Sequence, residues 1–177
     1  MRPIRLIAIF VLLAGVSLAW LAGNDIAAAP KKEAKNKTSL QNFRLTDLDG
    51  KDVTLTDGEL KGQRVAFCFF TTWSGVAEKQ ARKILAQKEA IGGKLVFICS
   101  GPEREARDLR KRMGDTTGIW LKPDSQVGTA FQSAFDPEKV DRVPALIVID
   151  ATSRIVHAST GELSDDDLKA ALSAKAE

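Results

Sequence analysis

The chain carries few side chains that could do chemistry: two cysteines, Cys68 and Cys99, one histidine, His157, and no tyrosine in 177 residues. Cys68 stands inside the apolar run VAFCFF, and Cys99 closes the run LVFIC. A free cysteine in such a run packs as a small hydrophobe. One at the C-terminal end of a parallel strand instead sits at the edge where open α/β sheets hold their functional groups. Cys99 is thus the thiol with a claim to reactivity, although nothing basic adjoins it before Arg104 to draw out its proton. A Cys68–Cys99 bond is a further alternative, because neighbouring strands at matched register bring Cα atoms to about 4.8 Å, inside the disulfide range. Other chemistries fail on residue count. Ser74 as a hydrolytic nucleophile would need a base, and His157 falls on a strand of the C-terminal hairpin; no G-x-S-x-G motif is present. One histidine cannot build a zinc site, and no glycine-rich loop offers a phosphate cradle. Asp165-Asp166-Asp167 reads as the acidic start of a helix rather than a metal site. No metal or other cofactor is expected.

The elements that must position these residues alternate between strands and helices. Phe43–Thr46 and Val53–Leu55 flank Asp49-Gly50, a hairpin signal because both central residues tolerate positive φ. Gln63–Phe70 predicts a strand buried on both faces. Ser74–Ile91 predicts a helix with Val76, Ala77, Ala81, Ile84 and Leu85 at helical spacing, closed by Gly92-Gly93. Leu95–Cys99 is a second buried strand. Pro102–Met113 is a short helix, with proline in its first turn and Gly114 at its end. A short segment around Ile119-Trp120-Leu121 leads to Pro123-Asp124-Ser125, which caps a helical turn reaching Phe131. Ala145–Asp150, ALIVID, is a third buried run, and Ile155-Val156-His157 pairs with it across Ala151-Thr152-Ser153. Ser164 then opens a last helix that buries Leu168, Ala171 and Leu172.

Phe69-Phe70-Thr71-Thr72-Trp73-Ser74-Gly75-Val76-Ala77 resembles the catalytic turn of the thioredoxin-like TlpA/redoxin family, F-W-A-T-W-C-G-P-C. Three further features are similar: Asp47-Leu48-Asp49-Gly50-Lys51 with Val53-Thr54-Leu55, Pro123-Asp124 ahead of Phe131, and Arg142-Val143-Pro144 before ALIVID. The last resembles the family's cis-proline loop, with Gly161 where the following glycine falls. The resemblance covers about Leu40 to Leu172 and implies an α/β thioredoxin-like fold, a central mixed sheet flanked by helices with an N-terminal β-hairpin extension. It also implies a chemistry that these residues cannot perform. The family's first cysteine attacks as a thiolate and its second resolves the mixed disulfide; Ser74 and Ala77 occupy those positions. The peroxiredoxin pattern T-x-x-C aligns as Thr71-Thr72-Trp73-Ser74 and again meets serine. Cys68 falls where thioredoxins bury a polar residue beneath the reactive pair. In the family, the residue before the cis-proline offers backbone hydrogen bonds to an extended peptide beside the turn. Carried over, that implies a binding surface of Thr72, Trp73, Val76, Val143 and Pro144.

The amino terminus reads as an address. Arg2 and Arg5 precede an uncharged apolar run from Leu6 to Ala22, the layout of a secretory signal. Left uncleaved, its helix would span roughly 26 Å, a little short of the hydrocarbon core. Pro30 follows Ala27-Ala28-Ala29 and hinders cleavage there, which favours a single N-terminal membrane anchor over a cleaved peptide. Residues 1–23 are therefore a signal peptide or signal anchor, 24–39 a flexible basic linker, and 40–177 the thioredoxin-like domain. The formal charge of +3 misleads about partners. Six of the 26 basic residues precede Thr38 against two of the 23 acidic ones, so the remainder carries a net charge of −1 and no nucleic-acid footprint. The expected protein is exported, periplasmic or anchored facing the extracytoplasmic side, with an envelope protein client and no catalytic dithiol. The alternative is an unconventional thiol oxidoreductase or antioxidant redoxin that uses Cys99, with or without Cys68.

Overall fold

Residues alternate between two cores along each central strand, and that alternation organises the molecule. The computed structural model describes residues 39–115, 117–122, 131 and 143–175. The expected leader at 1–23, the linker up to 38, Pro123-Asp124-Ser125 and Arg142 lie outside them. Strand β3 (Val65–Thr71) sends Ala66, Cys68 and Phe70 into one core and Val65 and Phe67 into the other. Strand β4 (Lys94–Ser100) divides Leu95, Phe97 and Cys99 from Val96 and Ile98 in the same way. Strands buried on both faces read as continuous apolar runs because no position faces water.

With β5 (Ile119–Leu121), β6 (Ala145–Ile149) and β7 (Ile155–Thr160), these strands form a five-stranded sheet in the order β5-β4-β3-β6-β7. The β3, β4 and β5 strands run parallel, β6 is antiparallel to β3, and β7 is antiparallel to β6. The parallel pairs require crossovers, supplied by helices α1 (Gly75–Ala86) and α2 (Glu103–Met113). Helix α3 (Asp165–Ser173) follows β7. Helices α1, α2 and α3 pack on the core that holds both cysteines, through Ala77, Ala81 and Ile84, Ala106 and Leu109, and Leu168 and Leu172. The other core is closed by Phe131, whose ring lies 5.0 Å from Phe67 and 5.3 Å from Phe43.

The amino-terminal hairpin is its own two-stranded sheet, β1 (Arg44–Thr46) with β2 (Asp52–Thr54). Its turn differs from the expected one: Gly50 has φ 87°, but Asp49 does not take positive φ. The Asp47 carboxylate accepts from the N–H groups of Asp49 at 2.9 Å and Lys51 at 2.8 Å, which holds a longer loop with a single left-handed residue. The hairpin also covers the sheet's β5 edge, through Leu48 N–H to Trp120 O at 2.7 Å and Lys122 N–H to Thr46 O at 2.8 Å.

Two other boundaries moved by three residues or more. The helix expected to reach Ile91 ends at Ala86, and a 3-10 turn, Lys88–Ile91, continues to a left-handed Gly92. Tightening the last turn gives the terminal carbonyls partners and swings Ile91 into the core. Strand β7 runs to Thr160 rather than His157. The turn before it is set by Asp150, whose Oδ1 accepts from Thr152 N–H at 2.8 Å and Arg154 N–H at 3.0 Å.

Candidate functional site

The end of β3 and the start of α1 form the turn Thr71–Ser74. Ser74 is the N-cap: its Oγ accepts the N–H of Ala77 at 3.2 Å, and its carbonyl accepts from Glu78 N–H at 2.9 Å. Capping satisfies donors that a helix start leaves open. Ala77 is fully buried beneath the helix. Between Thr71 and Ser74 the chain pushes Trp73 outward, 71% exposed, and Val76 follows at 51%. They are the exposed large hydrophobic side chains among the described residues. Gly75, between them, adds no side chain.

Thr72, expected on the same surface, turns its hydroxyl away. It donates to Glu105 Oε2 of α2 at 2.5 Å, and its N–H donates to Ser100 O at 3.2 Å. Gly101 lies so close that a Cβ there would stand 2.5 Å from Thr72 Oγ1. None of these partners was legible beforehand; Glu105 reads as one more charge on a highly charged helix.

The Val143–Pro144 peptide is cis, as the loop motif implied. Ala145 pairs with Phe69, so the loop just before it lies at the same end of the sheet as the turn. Pro144 is buried and Val143 half-buried, leaving Trp73 and Val76 as the exposed large apolar side chains of this end among the described residues. Pro144 O accepts from Gly161 N–H at 2.7 Å, and Leu163 N–H donates to Gln80 Oε1 of α1 at 3.1 Å. Gln80 is 2% exposed, so α1 is hydrogen-bonded to the segment that holds the cis-proline loop. A polar residue buried for this purpose leaves no mark in the helical pattern.

The two cysteines face the same core but not each other. Cys68 pairs with Phe97 and Cys99 with Phe70, an offset of two residues. Strand spacing and rise then put their Cα atoms about 8 Å apart, beyond disulfide reach. The matched register that a Cys68–Cys99 bond required is therefore absent, and both thiols are free and buried. Burial pushes the Cys99 thiol up to about 12, and the charge of Glu105 adds to the shift. Cys68, deeper in the sheet, is pushed higher still by burial, with Cys99 contributing. Neither carries thiolate at neutral pH.

His157 lies on β7 opposite Val148, which belongs to β6 opposite Ala66, two strands away and eight residues down from Ser74. Its Nε2 is 2.9 Å from Ser159 Oγ. No imidazole reaches the turn, so Ser74 has no histidine base. Among the described residues no group of three or more His, Cys, Asp or Glu could hold a metal ion.

The profile of the redoxin family matches residues 34–172. The chain belongs to the redoxin family. Its fold is similar to that of a thiol:disulfide interchange protein of the thioredoxin family from Chlorobium tepidum, at 20% identity and a TM-score of 0.64, covering 78% of this chain and 99% of that one. A DsbF homologue from Corynebacterium diphtheriae is similar at 20% identity and 0.63, covering 78% and 87%. DsbF of Mycobacterium tuberculosis is similar at 17% and 0.60, covering 73% and 92%. At these identities the likeness is one of fold. No curated protein matches the sequence. This redoxin thus keeps the thioredoxin-like scaffold, its turn and its cis-proline, and has no cysteine pair at the turn.

Proposed function

We propose that this redoxin is an exported accessory domain that binds an extended segment of an envelope protein client without exchanging disulfides. The observation that carries the reading is Trp73, 71% exposed on a turn whose neighbouring hydroxyl is committed to capping a helix. Exposed tryptophan costs solvation, and at protein surfaces it is enriched where partners bind. Val76 extends the apolar area, and the Val143–Pro144 loop at the same end of the sheet would supply backbone groups for strand-like pairing. The export part of the proposal rests on the basic and apolar leader. It is supported by a fold neighbour described as a secreted disulfide oxidoreductase of Mycobacterium tuberculosis.

The test is photocrosslinking in intact cells from a photoreactive residue at position 79, one turn from Val76, with and without Trp73→Ala. Discrete client crosslinks that disappear in the folded Trp73→Ala variant support the proposal; crosslinks unchanged by that substitution remove it. The alternative, an oxidoreductase acting through Cys99 or Cys68, has its thiols buried. Insulin reduction that is lost on Cys99→Ser would install that alternative instead.

A further inference from the structure

At the end of the sheet where Cys99 is buried and Trp73 exposed, the turn meets the first turn of α2 through Thr72 and Glu105, a candidate cover. The cover is weakly tied on several counts. Among the described residues, pairing between β4 and β5 ends at Ile98 with Leu121, whereas Cys99 and Ser100 pair with Phe70 and Thr71 of β3. The chain then bends at Gly101, φ 138°, and enters α2 at Pro102, which provides no side-chain cap. Along α2, the buried anchors Leu109 and Met113 stand in the later turns, while the first turn buries only the methyl group of Ala106. The direct side-chain tie between this first turn and the turn of β3 is the hydrogen bond from Thr72 to Glu105.

We propose that residues Thr72–Ser74 and the first turn of α2 form one two-state cover, latched by the Thr72–Glu105 hydrogen bond, whose closed form both buries Cys99 and holds Trp73 out to solvent. Thr72 is the link between the two effects. Its hydroxyl is drawn into α2 and its methyl rests on Gly101, so the next residue is directed outward. Releasing Thr72 loosens the turn that presents Trp73, leaving its N–H bond to Ser100 O as the tie to the end of β4 where Cys99 lies. Segments with few buried apolar contacts open locally, below the free energy of global unfolding. The proposal does not depend on a client, because both readouts belong to the chain itself.

The experiment uses the full chain in detergent, whose two cysteines give two distinguishable alkylation sites. Iodoacetamide labelling is followed at each site by mass spectrometry, and Cys68, mid-strand in β3, reports global unfolding. Cys99 is expected to label faster than Cys68, and Thr72→Val to accelerate Cys99 by about tenfold while Cys68 is unchanged, the scale of one lost charge-assisted hydrogen bond. Thr72→Ser, which keeps the hydroxyl, should follow the wild type. With 5-fluorotryptophan, the Trp73 resonance should shift in Thr72→Val and not in Thr72→Ser. Equal labelling of the two cysteines in every variant, or a Trp73 resonance indifferent to the latch, overturns the proposal.

Discussion

Ser74 Oγ accepts the backbone N–H of Ala77 at 3.2 Å, so the two positions that carry cysteines elsewhere in the family are here joined by a helix cap. An N-cap hydroxyl is worth about 1 kcal/mol. Ser74→Ala should therefore lower stability by about that amount, read as the urea midpoint, while Ser74→Asp stays near the wild type. Equal midpoints for all three chains would show that the cap contributes nothing.

The same cap predicts what a thiol would do there. A cysteine at position 74 would meet the N-terminal end of α1 and the Ala77 N–H, both of which favour a thiolate. Ser74→Cys should produce a single fast-reacting thiol whose labelling rate rises through a midpoint below the ordinary cysteine value of about 8.5. The wild-type chain should show no such phase. A midpoint at or above 8.5 would mean that the turn has lost its electrostatic character along with its cysteines.

What was legible in advance follows from local pattern. The run VAFCFF marks a doubly buried strand, the Ser74 and Ala77 substitutions can be read directly, and Val143-Pro144 announces its loop by order along the chain. The register of β3 against β4 could not be read, because it depends on where the α1 crossover returns the chain. Register alone separates a Cys68–Cys99 bond from two free thiols. The Thr72–Glu105 and Gln80–Leu163 contacts were hidden for a related reason: each joins residues far apart in sequence, and both polar partners sit in ordinary helical patterns. The Asp49-Gly50 turn shows a third limit. The side chain of Asp47 chose the loop, and turn propensity at the two central residues did not reveal it.

The buried thiols make stability sensitive to alkali. In the unfolded chain a cysteine loses its proton near pH 8.5, whereas folded Cys99 holds its proton to about 12 and Cys68 is shifted in the same direction. Between these values the unfolded state binds fewer protons, so stability is fully present below about pH 8.5 and falls as pH rises. Each thiol contributes a limiting slope of about 1.4 kcal/mol per pH unit. Urea unfolding from pH 8 to 11 should show the decline, and Cys99→Ala should remove about half of it. A decline unchanged in that variant would assign it to other groups.

Asp115 gives the opposite sign. Its carboxylate is buried, which alone would raise its pKa, but it accepts hydrogen bonds from the Thr117 backbone, Trp120 Nε1 at 2.7 Å and the Gly118 backbone, and its pKa is lowered overall. A depressed carboxylate contributes stability above its unfolded value of about 3.9 and loses it as pH falls through the folded value. Asp115→Ala should cost about 2–4 kcal/mol at pH 7, because it strands the indole N–H and two backbone donors together. The cost should shrink in acid, so a loss independent of pH would point to packing alone.

Gly101 separates backbone strain from collision. At φ 138° a Cβ would stand 2.5 Å from Thr72 Oγ1 and 3.0 Å from its Cγ2, whereas at Gly50, φ 87°, nothing lies within 4 Å. Both substitutions to alanine incur the left-handed penalty, about 1–2 kcal/mol. Gly101→Ala must in addition displace Thr72, whose hydroxyl is fixed by Glu105. The expected order in urea unfolding is therefore Gly101→Ala well below Gly50→Ala, with Gly101→Ala in a Thr72→Ala background recovering much of the gap because the obstructing hydroxyl and methyl are gone. Equal losses for the two single glycine variants, or no recovery in the double variant, would mean that Thr72 does not pack tightly enough on Gly101 to direct the turn.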